Sequence, residues 1–372
     1  MFNTIRKSIL LIPAFVALGI ATRAQTTEKI NIITTAVPFL RISPDAAAGG
    51  MGEAGVATGA DVNAQFYNVA KYAFAGRQSG FGFNYVPWLK NLGLNDVYLA
   101  SAAGYYKPDE LQAFSGSLRY FSLGDIQLMD HSGNDLHKEN PREMSVDLGY
   151  SRKLSDRLSL GVALKYIHSS LVGNSTIGDK SYKSGNAVAG DLGLYYTQAQ
   201  EGYNGWSFGA VFSNLGSKIS YTREADQKSY LPANLGLGAG YTWFIAEDHR
   251  LMATGELNKL LVPALPESGT AEDYAAYNQQ AVVKSWVNSF DHSAMSWSGG
   301  VEYSYQQVLT LRAGYYSDSR SLGQRQYVTA GLGLNYSMLG FNLSYLVPTG
   351  TAATNNPLSN TLRFSLLLYP GK

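Results

Sequence analysis

The sequence predicts an all-β fold, a transmembrane antiparallel β-barrel of about 14 strands with an N-terminal hatch, or plug, inside its lumen. Three observations predict it. From residue 77 onward, apolar and polar side chains alternate in segments of roughly ten residues, the length that a tilted membrane-spanning strand needs. The connections between these segments are alternately short and long. Charged residues make up only 15% of the chain, against about 25% in average chains.

The first element is a secretory signal peptide over residues 1–24. Arg6 and Lys7 supply its charged region, residues 8–21 its apolar core, and Thr22-Arg23-Ala24 a small-x-small cleavage site. Cleavage removes three of the 29 cations and none of the 28 anions, which leaves a formal charge of −2. Because this composition lacks the basic surplus that nucleic-acid binding requires, we expect no nucleic-acid partner.

The second element is the hatch over residues 25–76, and the barrel follows over residues 77–372. Between Gly49 and Gly59 the hatch carries five glycines with alanines among them. Such small side chains let backbone approach backbone closely, and they make a poor free-standing helix or strand. The alternative is a flexible linker, but linkers rarely carry interleaved residues such as Phe39 and Phe66. The candidate hatch residues are Pro38, Asp45, Gly49, Gly50, Met51, Gly52, Glu53, Gly55, Asp61 and Asn68.

The barrel strands are predicted from the alternating segments. Their even number is the expectation for a closed bacterial barrel. The predicted strands are 77–86, 95–106, 111–122, 143–152, 157–168, 187–198, 204–215, 233–244, 250–259, 295–304, 307–317, 327–336, 339–347 and 360–369.

Each strand is expected to turn its apolar face to lipid and its polar face to the lumen. In the segment 157–168, Leu160, Val162 and Leu164 alternate with Gly161 and Lys165, and a period of two places each set on one side of a sheet. A water-soluble barrel would bury the apolar set instead. We favour lipid contact because the apolar sets often end in an aromatic residue, as a membrane-interface girdle does. The charges expected to face the lumen are Arg119, Asp147, Lys165, Asp191, Glu256, Glu302, Arg312 and Arg363.

The longer connections are candidate partner-binding loops, above all 87–94, 216–232 and 260–294. In the last of these, Thr270 and Asp273 resemble a capping box, which predicts one short amphipathic helix from Ala271 to Phe290. This helix either merely covers the barrel mouth or acts as a partner-binding lid. The candidate partner-binding residues are Pro87, Trp88, Leu89, Tyr230, Leu231, Pro232, Tyr274, Tyr277, Trp286 and Phe290.

No catalytic, metal or cofactor site is expected. The five histidines are scattered without ligand-like spacing. His168 and Ser170 share a strand face, but no third orienting group is evident, so we expect no enzyme. Arg41, Asp45 and Glu53 of the hatch are expected to pair with lumen charges, in preference to lining a conducting ion pathway.

The hatch sequence resembles that of a known family. The run PFLRISPDAAAGGMGEAGVAT (residues 38–58) with FYNVAKYAF (66–74) is similar to PorV (also called LptO), the FadL-like barrel family of the type IX secretion system. SLRYFSLGDI (117–126) and YLPANLGLG (230–238) extend the resemblance. Val69 departs from it, because the family usually has the proline of an Asn-Pro-Ala turn there, and proline fixes φ where valine does not.

The resemblance implies a cofactor-free protein of the cell outer membrane with a periplasmic N-terminus after signal cleavage. It implies that the outer face binds the C-terminal signal domain of secreted cargo as the cargo leaves a large translocon barrel. The cargo then passes to a surface attachment (sortase-like) complex. The alternative is a FadL-type transporter of small hydrophobic molecules, which a strand kink opening the wall near the hatch would favour. A lipid-A-modifying enzyme would need a nucleophile and a base that we do not find.

Overall fold

In a computed structural model the chain forms a closed barrel of 14 antiparallel strands. The structure describes residues 32–88, 96–129, 135–171, 176–177, 180–199, 202–223, 228–266, 269–350 and 361–370. The predicted signal peptide and residues 25–31 of the predicted hatch lie outside these ranges. Within them, no helix combines the length and the apolar character that crossing a membrane requires.

The strands follow one another around the wall in chain order, except that two short hairpins, β4 with β5 and β8 with β9, lie outside the barrel. In chain order the strands are β1 (Ser79–Pro87), β2 (Val97–Tyr106), β3 (Gln112–Leu123), β4 (Ile126–Met129), β5 (Asp135–Glu139), β6 (Arg142–Lys153), β7 (Leu158–Ser170), β8 (Thr176–Ile177), β9 (Lys180–Ser181), β10 (Gly185–Thr197), β11 (Gly205–Gly216), β12 (Asn234–Ala246), β13 (His249–Leu260), β14 (Met295–Tyr305), β15 (Leu309–Asp318), β16 (Gln326–Tyr336), β17 (Leu339–Pro348) and β18 (Leu362–Leu368).

All 14 predicted barrel strands are confirmed, and each end lies within two residues of its prediction. The two hairpins were not predicted, and they lie in the connections after β3 and β7. The barrel has one end with short connections and one with long connections, which we call the short-turn end and the long-loop end. In bacterial outer-membrane barrels the short turns are periplasmic and the long loops extracellular.

Pairing of β1 with β18 closes the barrel at a short seam. Five residue pairs join these two strands, from Phe81–Leu368 to Tyr85–Phe364. By comparison, nine pairs join β1 to β2. The seam is therefore the shorter of the two interfaces that hold β1 in the wall.

The side chains alternate as predicted. In β7, Leu160, Val162 and Leu164 are exposed, whereas Ala163 and Lys165 on the opposite face are buried. The predicted lumen charges lie inside the wall. Six of them are at most 7% exposed, namely Arg119, Asp147, Lys165, Glu256, Glu302 and Arg363, and the side chains of Asp191 and Arg312 are 10% and 9% exposed.

The hatch crosses the lumen as short helical turns. These are 3₁₀ turns at Pro38–Arg41, Val62–Phe66 and Val69–Phe74, and one α-helical turn, α1 (Ala46–Gly49). Its first described residues lie at the long-loop end, where the Ile33 N–H donates to the carbonyl of Ser321. Its last residues lie at the short-turn end, where Lys107 Nζ donates to the carbonyl of Ala75 at 2.9 Å. The periplasmic N-terminus is predicted for residue 25, which lies outside the described ranges. The nearest described residues lie at the long-loop end and not at the short-turn end.

The connection between β13 and β14 contains two helices, so the prediction of a single helix is wrong. They are α2 (Ala271–Gln279) and α3 (Val282–Asn288), followed by a 3₁₀ turn at Ser289–Asp291. The predicted cap is present, since the Asp273 N–H donates to Thr270 Oγ1 at 3.2 Å. The break falls at Gln280, whose backbone is not helical, and Lys218 Nζ donates to the carbonyls of Asn278 and Gln280, each at 2.8 Å.

Candidate functional site

The hatch is bonded to the wall near the long-loop end by aromatic and polar contacts. The 3₁₀ turn at Pro38–Arg41 places Phe39 fully inside, stacked on Phe121 with ring centroids 6.3 Å apart. Beside it, Arg119 Nη1 of β3 donates to the carbonyl of Leu40 at 2.9 Å. A buried apolar contact and a charge-assisted hydrogen bond therefore hold this part of the hatch in one position.

Charged groups hold the middle of the hatch. Glu53 accepts a hydrogen bond from Arg363 Nη2 at 2.6 Å, and Arg363 is only 1% exposed. Glu256 of β13 accepts from the backbone N–H groups of Gly55 and Val56 at 2.8 and 2.9 Å. The predicted pairing of hatch charges with lumen charges is therefore confirmed for Glu53.

The same prediction is wrong for Asp45 and Arg41. Asp45 is the N-cap of α1, where its carboxylate accepts from the N–H groups of Ala47 and Ala48 at 2.6 and 3.1 Å, so local backbone occupies it. Arg41 forms no direct hydrogen bond or ion pair with the described residues, although Asp318 of the wall and Glu53 of the hatch lie near enough to attract its guanidinium.

Asp61 and Asn68 are the N-cap residues of the last two 3₁₀ turns of the hatch. Asp61 accepts from the Asn63 N–H at 3.0 Å, and Asn68 Oδ1 accepts from the Ala70 N–H at 3.1 Å. Asn68 Nδ2 also donates to the carbonyl of Leu194 on β10 at 3.0 Å. The turn at Val69 therefore forms without the proline of the related sequences, because the Asn68 side chain fixes it.

The glycines of the hatch meet glycines of the wall. Gly52, with a φ of +68°, donates its N–H to Thr329 Oγ1 at 2.9 Å. A Cβ added to Gly314 of β15 would lie 2.2 Å from Gly52 N. Close approach of backbone to backbone, which the small residues predicted, is confirmed here. Sequence reasoning missed the partner glycines in the strands, although glycine at a lumen-facing strand position was the available signal.

Two strand pairs of the wall show a register shift, β12 with β13 between Phe244 and Ala246, and β10 with β11. The register of β10 against β11 shifts between Gly190 and Leu192. Asp191 fills this bulge, since it accepts from the Asn214 N–H at 2.7 Å and lies 3.2 Å from Lys165 Nζ. Side chains thus replace the ladder hydrogen bonds that the bulge removes, and the wall is closed at this point.

The connections at the long-loop end form a structured surface around Tyr230. Its ring packs edge-on against Tyr277 of α2, with centroids 5.3 Å apart, and Lys218 Nζ lies 4.1 Å above it. We call residues 32–37, 217–223, 228–233 and 261–291 the long-loop surface, save 267 and 268, which lie outside the described residues. Burial raises the pKa of Tyr277 to about 12, and Tyr230 adds to this effect. Burial, and then the charge of Lys228, lowers the pKa of Lys218.

A cavity of about 490 Å³ lies in the long-loop surface. Its lining is mostly apolar and aromatic, and Lys228 and Glu143 are also present in it. Among the residues that line it are Val37, Pro38, Leu171, Tyr221, Tyr274 and Tyr277. A cleft with an apolar lining and few charges suits an apolar side chain or a small lipophile.

Only some predicted partner-binding residues are exposed. Tyr274 and Phe290 are 42% and 63% exposed, whereas Trp286 and Tyr277 are half-buried. Pro87 ends β1, and Trp88 packs against Phe121 inside the mouth of the barrel. Tyr230, Leu231 and Pro232 are buried, so they support the surface from beneath. Leu89 lies outside the described residues. Exposed Val283 and Val287 on α3 were not predicted.

The candidate catalytic pair does not come together. His168 Nδ1 lies 2.8 Å from Asn186 Oδ1, and Ser170 Oγ accepts from Ser184 at 3.1 Å. Neither arrangement gives a serine activated by a histidine. Across the described ranges, no group of three or more His, Asp or Glu is placed to hold a metal ion.

Sequence comparison decides the family. Residues 24–267, which include the hatch and β1 to β13, match the family model described as "Type IX secretion system protein PorV". The chain belongs to the PorV family. As a PorV-family barrel it is an outer-membrane component of the type IX secretion system. No curated protein sequence matches the chain.

Solved structures share the FadL-like fold. The toluene transporter TbuX of Ralstonia pickettii is 12% identical with a TM-score of 0.51, and the alignment covers 88% of this chain and 97% of that one. The deltaS2 mutant of the monoaromatic hydrocarbon channel TodX is 12% identical with a TM-score of 0.50, over 87% and 96% of the two chains. A FadL homologue of Pseudomonas aeruginosa is 11% identical with a TM-score of 0.46, over 90% and 98%.

Proposed function

We propose that this PorV-family barrel is a non-enzymatic docking subunit of type IX secretion. Its long-loop surface binds the C-terminal signal domain of secreted cargo at the outer face of the membrane. It accepts the cargo from the large translocon barrel and delivers it to the surface attachment complex, while its own lumen stays closed.

The observation that carries this proposal is the bonded hatch. Contacts with the wall run from Phe39 near the long-loop end, through Glu53, to Asn68 near the short-turn end. A folded protein cannot pass a lumen filled in this way. Any action on cargo therefore takes place on the outer surface, and it consists of binding.

The long-loop surface offers apolar groups to a partner. Val283, Val287 and Phe290 are 65%, 67% and 63% exposed, and helical spacing brings all three to one side of α3 and the turn after it. A cluster of exposed apolar groups on a monomer surface marks a candidate site of protein–protein contact. The cavity beside α2 can receive an apolar side chain of the same partner.

Deletion of residues 267–290 tests the docking role. The deletion leaves every barrel strand in place, so we expect a folded barrel that retains its heat-modifiable migration on gels. Binding of a purified C-terminal signal domain should be lost in detergent solution. Normal binding by the folded deletion variant would exclude this loop as the docking site.

A matched pair of double variants refines the test. Val287→Ser with Phe290→Ser removes two exposed apolar side chains from the long-loop surface, and we expect binding to weaken by about tenfold or more. Tyr203→Ser with Tyr336→Ser removes two side chains that are 73% and 82% exposed at the short-turn end. This control should bind the signal domain as the unmodified protein does.

A second candidate function is transport of a small hydrophobic molecule. The apolar cavity of about 490 Å³ favours it, whereas the filled bulge beside Asp191 does not provide the lateral opening that transport needs. A pull-down in mild detergent separates the two functions. Co-purification of a giant barrel or of proteins with a shared C-terminal domain supports docking, and a solitary barrel with a bound lipophile supports transport.

A further inference from the structure

A buried glutamate of the barrel wall lines the cavity of about 490 Å³ in the long-loop surface. Glu143 is the second residue of β6 and pairs in register with Phe121 of β3, which stacks on Phe39 inside the barrel. Residues opposite each other in a pair of strands share one face, and Glu143 is only 2% exposed. The otherwise apolar and aromatic cavity therefore carries a carboxylate on its barrel side.

This carboxylate has one oxygen engaged and one open. Ser169 Oγ of β7 donates to Glu143 Oε1 at 2.7 Å, and the hydroxyl of Tyr221 in turn donates to Ser169 Oγ at 3.0 Å. In the part of the chain that the structure describes, Oε2 has no hydrogen-bond partner and Glu143 has no ion pair. Two hydroxyls in series thus orient the carboxylate and leave one oxygen to the cavity.

The lining contains one further charged residue, Lys228, which does not balance Glu143. Lys228 is exposed, so water solvates its ammonium group, and it lies close enough to Lys218 to repel that lysine. Charges act much more strongly on one another in an apolar interior than across water. The part of the cavity beside Glu143 is therefore negative, although the lining as a whole carries one charge of each sign.

The lining favours a cation that carries an apolar stem. A buried carboxylate without a cation is costly, because it has lost water and gained no counter-charge. The folded barrel already bears that loss, so an entering cation gains the attraction and gives up only its own water. The rings of Tyr221, Tyr274 and Tyr277 also line the cavity, and aromatic rings attract cations through their faces. An anion or a wholly apolar group gains neither of these interactions.

Among basic side chains, lysine suits this cavity better than arginine. A guanidinium forms its strongest pair when both carboxylate oxygens accept from it, and Oε1 of Glu143 already accepts from Ser169. An ammonium group is a compact charge with three N–H donors. The hydroxyls of Thr34, Thr35 and Tyr221 in the lining can accept from the donors that Glu143 leaves over. The methylene stem of lysine then lies along the apolar lining.

We propose that this cavity receives a lysine side chain of the docked signal domain, and that the ammonium group of this lysine pairs with Glu143. This inference rests on the proposed docking function and adds a specific charged contact to it. The apolar groups on α3 supply contact area, and the cavity selects a partner that presents an exposed lysine at the matching position. A signal domain without that lysine binds more weakly.

Hexylammonium is the probe for the cavity, because it combines an ammonium group with an apolar stem. Its binding to the full barrel in a non-ionic detergent is measured by isothermal titration calorimetry and compared with that of 1-hexanol, which has the same stem and no charge. We expect one hexylammonium per chain, bound about tenfold or more tightly than 1-hexanol, since hydrogen bonds to charged groups are the strong ones. Equal affinities for the two probes would overturn the proposal without the need for any variant.

A matched pair of variants identifies the carboxylate. Glu143→Gln keeps the shape of the side chain and removes its charge, so hexylammonium should bind no more tightly than 1-hexanol. Glu247→Gln is the control, because Glu247 is exposed in a connection at the short-turn end and its loss changes the net charge by the same amount. This control should bind hexylammonium as the parent does. Unchanged affinity in Glu143→Gln, or an equal loss in Glu247→Gln, would contradict the assignment.

Acetylation of the signal domain tests whether the ligand is one of its lysines, because acetylation removes their charge. After circular dichroism has shown that the acetylated domain stays folded, the parent barrel should bind it about tenfold more weakly than the unmodified domain. For Glu143→Gln this difference should disappear. If acetylation does not weaken binding to the parent, the lysine contact is wrong and docking stands. If neither form binds the folded parent, the docking function itself fails, and binding of hexylammonium alone would make a free amine the ligand.

Discussion

At the residue scale, the fit of the hatch in the lumen depends on glycines, which have no side chain. A Cβ on Gly314 would lie 2.2 Å from Gly52 N, and one on Gly209 of β11 would lie 2.3 Å from the carbonyl oxygen of Val56. Backbone atoms cannot swing aside as the end of a flexible side chain can. Glycine at these wall positions is therefore a condition for hatch and wall to occupy the same lumen.

A pair of alanine variants tests this condition. Gly314→Ala should destabilise the barrel by about 1–3 kcal/mol, the usual cost of overpacking, because the Cβ displaces the backbone at Gly52. At Gly255 of β13 the nearest atom to an added Cβ is 3.9 Å away, so Gly255→Ala should be close to neutral. Denaturant unfolding in one detergent measures both. Equal stability of the two variants would contradict the close approach.

The role of a residue was predictable from the sequence where its residue type has one common role in such a segment. Clustered glycines indicated close packing, and Glu53 indicated an ion pair. Asp45 has two uses, a lumen partner and a helix cap, and sequence alone does not rank them. The lack of a partner for Arg41 was not predictable either, because it depends on Arg363 and Arg325 occupying the nearby carboxylates.

At the element scale, Lys218 organises the long-loop surface. Its ammonium group donates to two carbonyls at the end of α2 and lies over the ring of Tyr230. Cations stabilise the carbonyl end of a helix. One side chain from the connection after β11 therefore fixes the position of a helix in the connection after β13.

Replacing this lysine should loosen α2 alone. In Lys218→Met we expect amide hydrogen exchange in residues 271–280 to accelerate about tenfold, since two charge-assisted hydrogen bonds are lost. The melting temperature of the barrel should not change. Lys284→Met on α3 removes an exposed lysine of the same connection and should leave exchange in α2 unchanged. Unaltered protection of 271–280 in Lys218→Met would show that other contacts hold the helix.

Strands and helices were predicted best where the alternation of apolar and polar residues continues over many positions. Each barrel strand repeats the alternation over enough residues to place its ends within two positions. The β4–β5 and β8–β9 hairpins are too short for a period to emerge. The break between α2 and α3 lies at a contact with Lys218, about sixty residues earlier in the chain, and no local pattern contains such a contact.

At the scale of the whole molecule, the end of the barrel at which the described hatch begins bears on the predicted periplasmic N-terminus. Ile33 and Ala36 are bonded to Ser321 and Tyr230 at the long-loop end. The seven residues from 25 to 31 span at most about 25 Å when fully extended. That is less than the roughly 30 Å of a hydrocarbon core, and the hatch already fills the lumen.

An epitope tag placed directly after Gln25 should therefore be outside the cell. We expect antibody to label it on intact cells, opposite to the periplasmic position implied by family resemblance. A tag placed after Tyr203, in a short connection, is the control and should be labelled only after permeabilisation. Labelling of the first tag only after permeabilisation would contradict the course of the hatch.

The short seam gives the hatch a further role. On one side of the seam the Ala46 N–H donates to Ser365 Oγ of β18 at 2.9 Å, and on the other Asn84 Nδ2 of β1 donates to Asn63 Oδ1 at 2.9 Å. The hatch thus forms hydrogen bonds to both strands of the seam from inside the barrel. Because the hatch bonds to both strands of the shorter interface of β1, we expect its removal to weaken the closure of the barrel as well as to empty the lumen.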